Sequence, residues 1–138
     1  MKQFDLERFV KAQDPMYAGV LDELRAGHKR SHWMWFVFPQ IAGLGSSAMA
    51  QRYAIASADE AADYLAHPVL GARLRECAAI VAALASDSAP DIFGPTDALK
   101  FHSSMTLFAD VAPDEAVFQR CIDKYFDGEP DPETLARV

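Results

Sequence analysis

Lys29-Arg30-Ser31-His32-Trp33-Met34-Trp35-Phe36-Val37-Phe38-Pro39-Gln40 holds both tryptophans of the chain, with two phenylalanines, a methionine and a valine beside them. From Trp33 to Phe38 the run is apolar without a break, so most of it must be buried on more than one side. Two backbone readings are open. Ser31 as a cap and Pro39 as a stop predict one or two buried helical turns, because the residue before a proline avoids the α region. The β-rich composition also permits a strand, but nothing else in the chain offers a convincing strand partner. The short helix is adopted, and with it an all-α protein.

Upstream, Asp5 reads as a cap for a helix carrying Leu6, Phe9 and Val10, with Phe4 and Phe9 spaced for a hydrophobic staple. Asp14-Pro15 reads as a second start, with Asp as cap and Pro at the first position. Tyr17, Val20, Leu21 and Leu24 then form an amphipathic stripe, and Gly27 stops that helix. Downstream, the two glycines of 41–47 mark a loop, and Ser47 caps a helix with Met49 and Tyr53. Ser57 and Glu60 match a capping box for a helix reaching about Ala66. Leu70, Leu74, Cys77, Val81 and Leu84 give the cleanest period, predicting the longest helix from His67-Pro68 to about Ala85. Pro90 to Phe93 allows one turn with Gly94 as its stop. Thr96 caps a helix with Ala98, Phe101, Met105 and Phe108 inward. Pro113-Asp114-Glu115 opens another, ended by Gly128, and Asp131-Pro132 starts a last turn bearing Leu135. The sum is a single compact domain over residues 1–138, built of eight or nine short helices, with no internal repeat.

Hydrophobic residues make up 51% of the 138 positions, enough for a packed core. Thirteen Lys+Arg against twenty Asp+Glu give a net charge of -7, which disfavours long nucleic acid as a partner but permits a small anion in a locally basic cleft. Met1-Lys2-Gln3 leads directly to Asp5, Glu7 and Arg8 with no apolar leader, and no run is long enough to span a membrane; a cytoplasmic protein is expected. Cys77 and Cys121 fall on apolar helical stripes and read as buried free thiols.

No metal site is expected. His28 and His32 are four apart, but Gly27 breaks the helix there and Lys29 stands where a zinc-protease motif has its glutamate. Lys100 and Ser103 are placed for a lysine-activated serine, yet the order reverses that of S-x-x-K enzymes, and small hydroxyls at a helix crossing explain Ser103 and Ser104 as well. A ligand pocket fits more of the residues. Lys29, Arg30, His32 and Lys100 are the cations nearest aromatic segments, and His102 adds a polar ring. A phosphate wants such cations and helix N-termini, while a base wants a face such as Trp33 or Trp35. The competing readings are a solvated Lys-Arg pair and two core tryptophans.

Asp5-Leu6-x-x-Phe9, the Ser31–Gln40 block, Tyr53-Ala54-Ile55, His67-Pro68-x-Leu70-Gly71-x-Arg73-Leu74, Ile92-Phe93-Gly94-x-x-Asp97-x-x-Lys100 and Ser103-Ser104-Met105-Thr106-Leu107-Phe108 together resemble a bacterial family of unknown function, DUF1810, over nearly the whole chain. The resemblance implies a mainly helical single domain and brings no activity, cofactor or catalytic residue. The calpastatin-like label often attached to that family implies a disordered, aromatic-poor repeat inhibitor; this chain is neither aromatic-poor nor repetitive. The stretch from His67-Pro68-x-Leu70 to Ile92-Phe93-Gly94 is also similar, at the level of fold, to helical N-glycosidases acting on ADP-ribose-linked substrates.

The expectation is therefore a protein that binds, and in the enzymatic version hydrolyses, a nucleotide-like or ADP-ribose-like phosphate-bearing small molecule, with no cofactor. Trp33 or Trp35 would stack the base, and Lys29, Arg30 or Lys100 would hold phosphate. His32, His102, Ser103 and Ser104 would complete the lining, and Asp97 would be the general base. The alternative is a non-catalytic interaction module presenting the aromatic stretch to a partner. Side chains of Lys29–Trp33 and of Asp97–Ser104 are expected to line one cleft.

Overall fold

The computed structural model describes residues 4–138, which contain ten helices joined by turns and loops: α1 (Glu7–Gln13), α2 (Tyr17–Arg25), α3 (Met34–Val37), α4 (Ala48–Arg52), α5 (Ala58–Ala66), α6 (Leu70–Ala83), α7 (Ala89–Phe93), α8 (Pro95–Val111), α9 (Ala116–Tyr125) and α10 (Pro132–Leu135). Residues 1–3, on which the reading of the leader partly rests, lie outside the described range. The fold is all-α, with no strand among the described residues. The marginal turns at 90–93 and after Asp131 are both helical, which brings the total to ten.

The quoted stretch is the single turn α3. Its backbone leaves the helix at Phe38 (φ -122, ψ 73), as the following proline requires. Ser31 does not cap it: α3 starts after Trp33 with no side-chain cap, and the Ser31 hydroxyl is committed to Glu23. Phe38 anchors the segment, meeting Phe101 edge-on at 5.0 Å and Phe93 at 6.0 Å. Beyond Pro39 the chain makes one isolated parallel bridge, Ile41 to Ile55, which holds the 40–47 loop in place.

α8 is the longest element, at 17 residues, rather than α6 at 14. It packs against α3, α5, α7, α9 and α10, and Ala98, Phe101 and the whole run Ser103–Phe108 are buried. A helix covered on most sides shows little amphipathic contrast, so its length is hard to read from periodicity. α6 buries Leu70, Leu74, Cys77 and Val81 as expected, but ends at Ala83 with Leu84 outside. Gly71 lies where α5 and α6 cross: a Cβ there would sit 2.1 Å from the Leu65 carbonyl oxygen.

Several caps differ from expectation. Ser47, Ser57 and Asp131 each accept the expected backbone N–H. Asp5 and Asp14 do not: α1 and α2 start at Glu7 and Tyr17 without side-chain caps, and Asp14 instead pairs with Arg73 at 2.9 Å. His67 Nδ1 accepts from the Val69 and Leu70 amides and so starts α6. α8 begins at Pro95 rather than after Thr96, because Gly94 (φ 85, ψ 158) occupies a backbone region essentially reserved for glycine. α9 begins at Ala116, after Glu115. Glu115 there grips Arg75 through two hydrogen bonds.

Leu74 is buried at the middle of α6, so Leu74→Ala should cost roughly 2–5 kcal/mol in denaturant unfolding. Burial pushes the thiols of Cys77 and Cys121 up to about 12. A bulky thiol reagent should therefore label native protein slowly, with the rate rising steeply once denaturant opens the core.

Candidate functional site

The groove begins with a helix stop. Gly27 (φ 71) ends α2 in a Schellman arrangement: the His28 amide reaches the Glu23 carbonyl and the Gly27 amide that of Leu24. The chain then turns back over the Glu23 carboxylate. Glu23 Oε1 accepts from the backbone amides of Arg30 (2.7 Å) and Ser31 (3.0 Å) and from the Trp33 indole (3.0 Å), while Oε2 accepts from the Ser31 hydroxyl (2.6 Å). The residue is only 7% exposed. Burial alone would raise its carboxyl; the four donors outweigh that and pull it from an ordinary 4.5 down to about 2. One ionised carboxylate thus shapes the whole basic segment.

That segment hands Lys29 to the start of α8. The Lys29 amide donates to the Ile92 carbonyl at 2.7 Å, and its ammonium lies 2.8 Å from Asp97 Oδ2 and 5.1 Å from the Trp33 ring centroid. Lys100 takes the other oxygen, Oδ1, at 3.2 Å. Burial would raise the Asp97 carboxyl, but hydrogen bonds from Lys29 and Lys100 hold it below the usual carboxylate range. Two cations on one anion leave a net positive cluster.

The cluster floors a cleft of about 390 Å³ lined by Lys29, His32, Trp35, Gly94, Thr96 and Lys100, among others. Trp35, Thr96 and Lys100 are shared with a wider groove of about 620 Å³, which runs on past Gln40, the 44–47 loop, Leu99, His102, Ser103 and the start of α10. Both volumes fall within the range of small-molecule sites, roughly 300–1,000 Å³. A more closed cavity of about 260 Å³ behind the 40–45 turn has no charged lining residue.

The expected site residues divide accordingly. Lys29, His32 and Trp35 share the first cleft with Asp97 and Lys100, and His102 and Ser103 line the wider part. Trp33 is fully buried and offers no face to a ligand. Its neighbours Phe36, Val37 and Phe38 are buried too, which leaves Trp35 as the partly exposed ring of the stretch. Arg30 is exposed and lines neither cleft; its backbone amide, not its guanidinium, has the structural role. Ser104 is fully buried, and its hydroxyl has no hydrogen-bond partner among the described residues. Ser103 Oγ meets the Leu99 carbonyl and Asp131 Oδ2, both at 3.1 Å, and is no activated nucleophile for Lys100. His102 stacks on Phe126 (4.0 Å, 9°), with Nε2 2.6 Å from the Glu129 carbonyl oxygen. Sequence reasoning missed Glu23 and Gln40. Glu23 had a visible signal: it sits between Val20 and Leu24 on the apolar face of α2. No group of three or more His, Cys, Asp or Glu among the described residues is placed to hold a metal ion.

A family model described as "Protein of unknown function (DUF1810)" matches residues 3–138. The chain is also similar to a solved structure, the crystal structure of the conserved hypothetical protein Rv1873 from Mycobacterium tuberculosis. The two are 53% identical with a TM-score of 0.95, over 96% of this chain and 95% of that one. Comparison with curated proteins gives no match.

The depressed Glu23 carboxyl fixes the sign of a pH effect. Because its folded value lies below its unfolded one, the stabilisation is complete above about pH 4.5 and is lost as pH falls through about 2. It is on the order of 3 kcal/mol. In chemical denaturation, wild type minus Glu23→Gln should show this component shrinking across that acid window and holding constant from pH 5 to 8.

Proposed function

We propose, for a chain that belongs to the DUF1810 family of proteins of unknown function, that the groove binds a small phosphate-bearing, nucleotide-like molecule. One observation carries the reading: two ammonium groups converge beside Trp35 where the first turn of α8, free of any side-chain cap, lines the same cleft. A 17-residue helix presents unpaired N–H groups and a positive dipole end at its start, both suited to an anion. Trp35, half-buried, supplies a flat apolar wall next to the charges.

Asp97 acts in this reading as a clamp. Its oxygens are each held by an ammonium group, and a carboxyl below its usual range is a poor proton acceptor near neutral pH. It keeps Lys29, whose side chain is 7% exposed, and Lys100, 20% exposed, in the wall of one cleft, where a phosphate can approach both. Binding rather than N-glycosidic hydrolysis is the function these groups support. The interaction-module alternative loses its contact surface with the burial of Trp33, Phe36 and Phe38.

A ligand selective for the folded state raises its melting temperature by mass action. ADP-ribose and AMP should do so here, and adenosine should do so far less. Lys100→Ala should weaken AMP binding about 10- to 100-fold by calorimetry, the cost of a hydrogen bond to a charged group. Arg30→Ala should leave it unchanged, since that side chain is outside the cleft. Equal binding of AMP and adenosine, or loss of AMP binding in Arg30→Ala alone, would overturn the reading.

A further inference from the structure

The wider half of the groove differs in chemistry from the phosphate cleft. Past Lys100 its cationic side chains give out, and the lining becomes the Gln40 amide, the hydroxyls of Ser46, Ser47 and Ser103, the His102 ring and the carboxylates of Asp131 and Glu133. Those carboxylates are already compensated. Asp131 Oδ2 accepts from Ser103 Oγ, the Thr134 amide and Thr134 Oγ1, and Glu133 pairs with Arg137 at 2.9 Å. The compartment therefore has little bare negative charge with which to select an amine. It offers neutral donors and acceptors: the Gln40 amide and the Ser46 and Thr96 hydroxyls make no hydrogen bond to another described residue, and Ser47, whose oxygen caps α4, keeps its proton to donate. Trp35 and Leu99, the latter 68% exposed, provide apolar surface in the same space.

We infer that this compartment is a sugar subsite, so that the ligand is a phosphorylated polyhydroxylated ring with its phosphate at Lys29 and Lys100 and its hydroxyls on Gln40, Ser46 and Ser47. A sugar presents alternating hydroxyls that both donate and accept, with C–H faces between them that pack on an aromatic ring. Amide and hydroxyl side chains around Trp35 match both needs, whereas a bare phosphate uses only the first cleft. The shared residues Trp35, Thr96 and Lys100 form the hinge between the halves, at the position of the phosphoester link. This assignment rests on the phosphate reading above and adds to it the place and the partners of the sugar that the phosphate carries.

The experiment compares inorganic phosphate with ribose 5-phosphate by calorimetry on the full chain. Ribose 5-phosphate should bind at least tenfold tighter. Gln40→Ala and Ser46→Ala should each bring its affinity toward that of phosphate while leaving phosphate itself unchanged; neither side chain holds the fold together, and unaltered melting temperatures check this. Equal affinity for the two probes, or variants that weaken both probes alike, would overturn the sugar subsite and leave the phosphate cleft standing. Binding of neither probe would overturn the phosphate reading and this one with it.

Discussion

A buried carboxylate with four donors is the constraint on which the rest of the site depends. Glu23 leaves water for a position 7% exposed, which costs several kcal/mol unless every lone pair finds a partner. The partners all come from residues 30–33, so the chain satisfies the charge only by folding tightly around it. That turn decides two things at once. It holds the Trp33 indole in the core with its N–H satisfied, and it places the Lys29 ammonium beside that ring and against Asp97.

The second constraint is a glycine. Gly94 turns the chain from α7 into α8 through a conformation that side chains rarely adopt, although a Cβ there would meet nothing within 4 Å. The restriction is thus in the backbone and not in the space. It puts Pro95, Thr96 and Asp97 at the head of the longest helix, beside the Lys29 loop. A basic turn organised by an acid and an uncapped helix start organised by a glycine meet in one place.

Much of this was legible in the residues, for stated reasons. Serine caps at Ser47 and Ser57, the glycine stop at Gly27 and the Leu70–Val81 stripe are local signals, and local signals survive folding. Lys29 and Lys100 could be named because cations beside aromatics stand out in any sequence, and Asp97 because it is a carboxylate within a recognisable family block. Which tryptophan is core and which is wall could not be read. That depends on the Glu23 hydrogen bond, a contact between elements. Asp14 fails as a cap for the same kind of reason: Arg73, from α6, competes for it. Gln13 looks like a polar helix residue, yet it is buried, donating to the Phe36 carbonyl and the Tyr64 hydroxyl. Tertiary partners reassign polar side chains that sequence pattern can only place on a face.

The tie between Lys29 and the α7–α8 corner has a kinetic side. The Lys29 amide bonds to Ile92 and its ammonium to Asp97, so the site closes a loop containing α3, α4, α5, α6 and α7. The entropy of closing such a loop must be met before its contacts return anything, which favours a late closure. A chain in which this closure has not formed does not bring the Lys29 turn to the start of α8. The groove is a property of the finished fold, because its two walls come from opposite ends of that loop, and a fragment that keeps either half of the chain alone cannot form it.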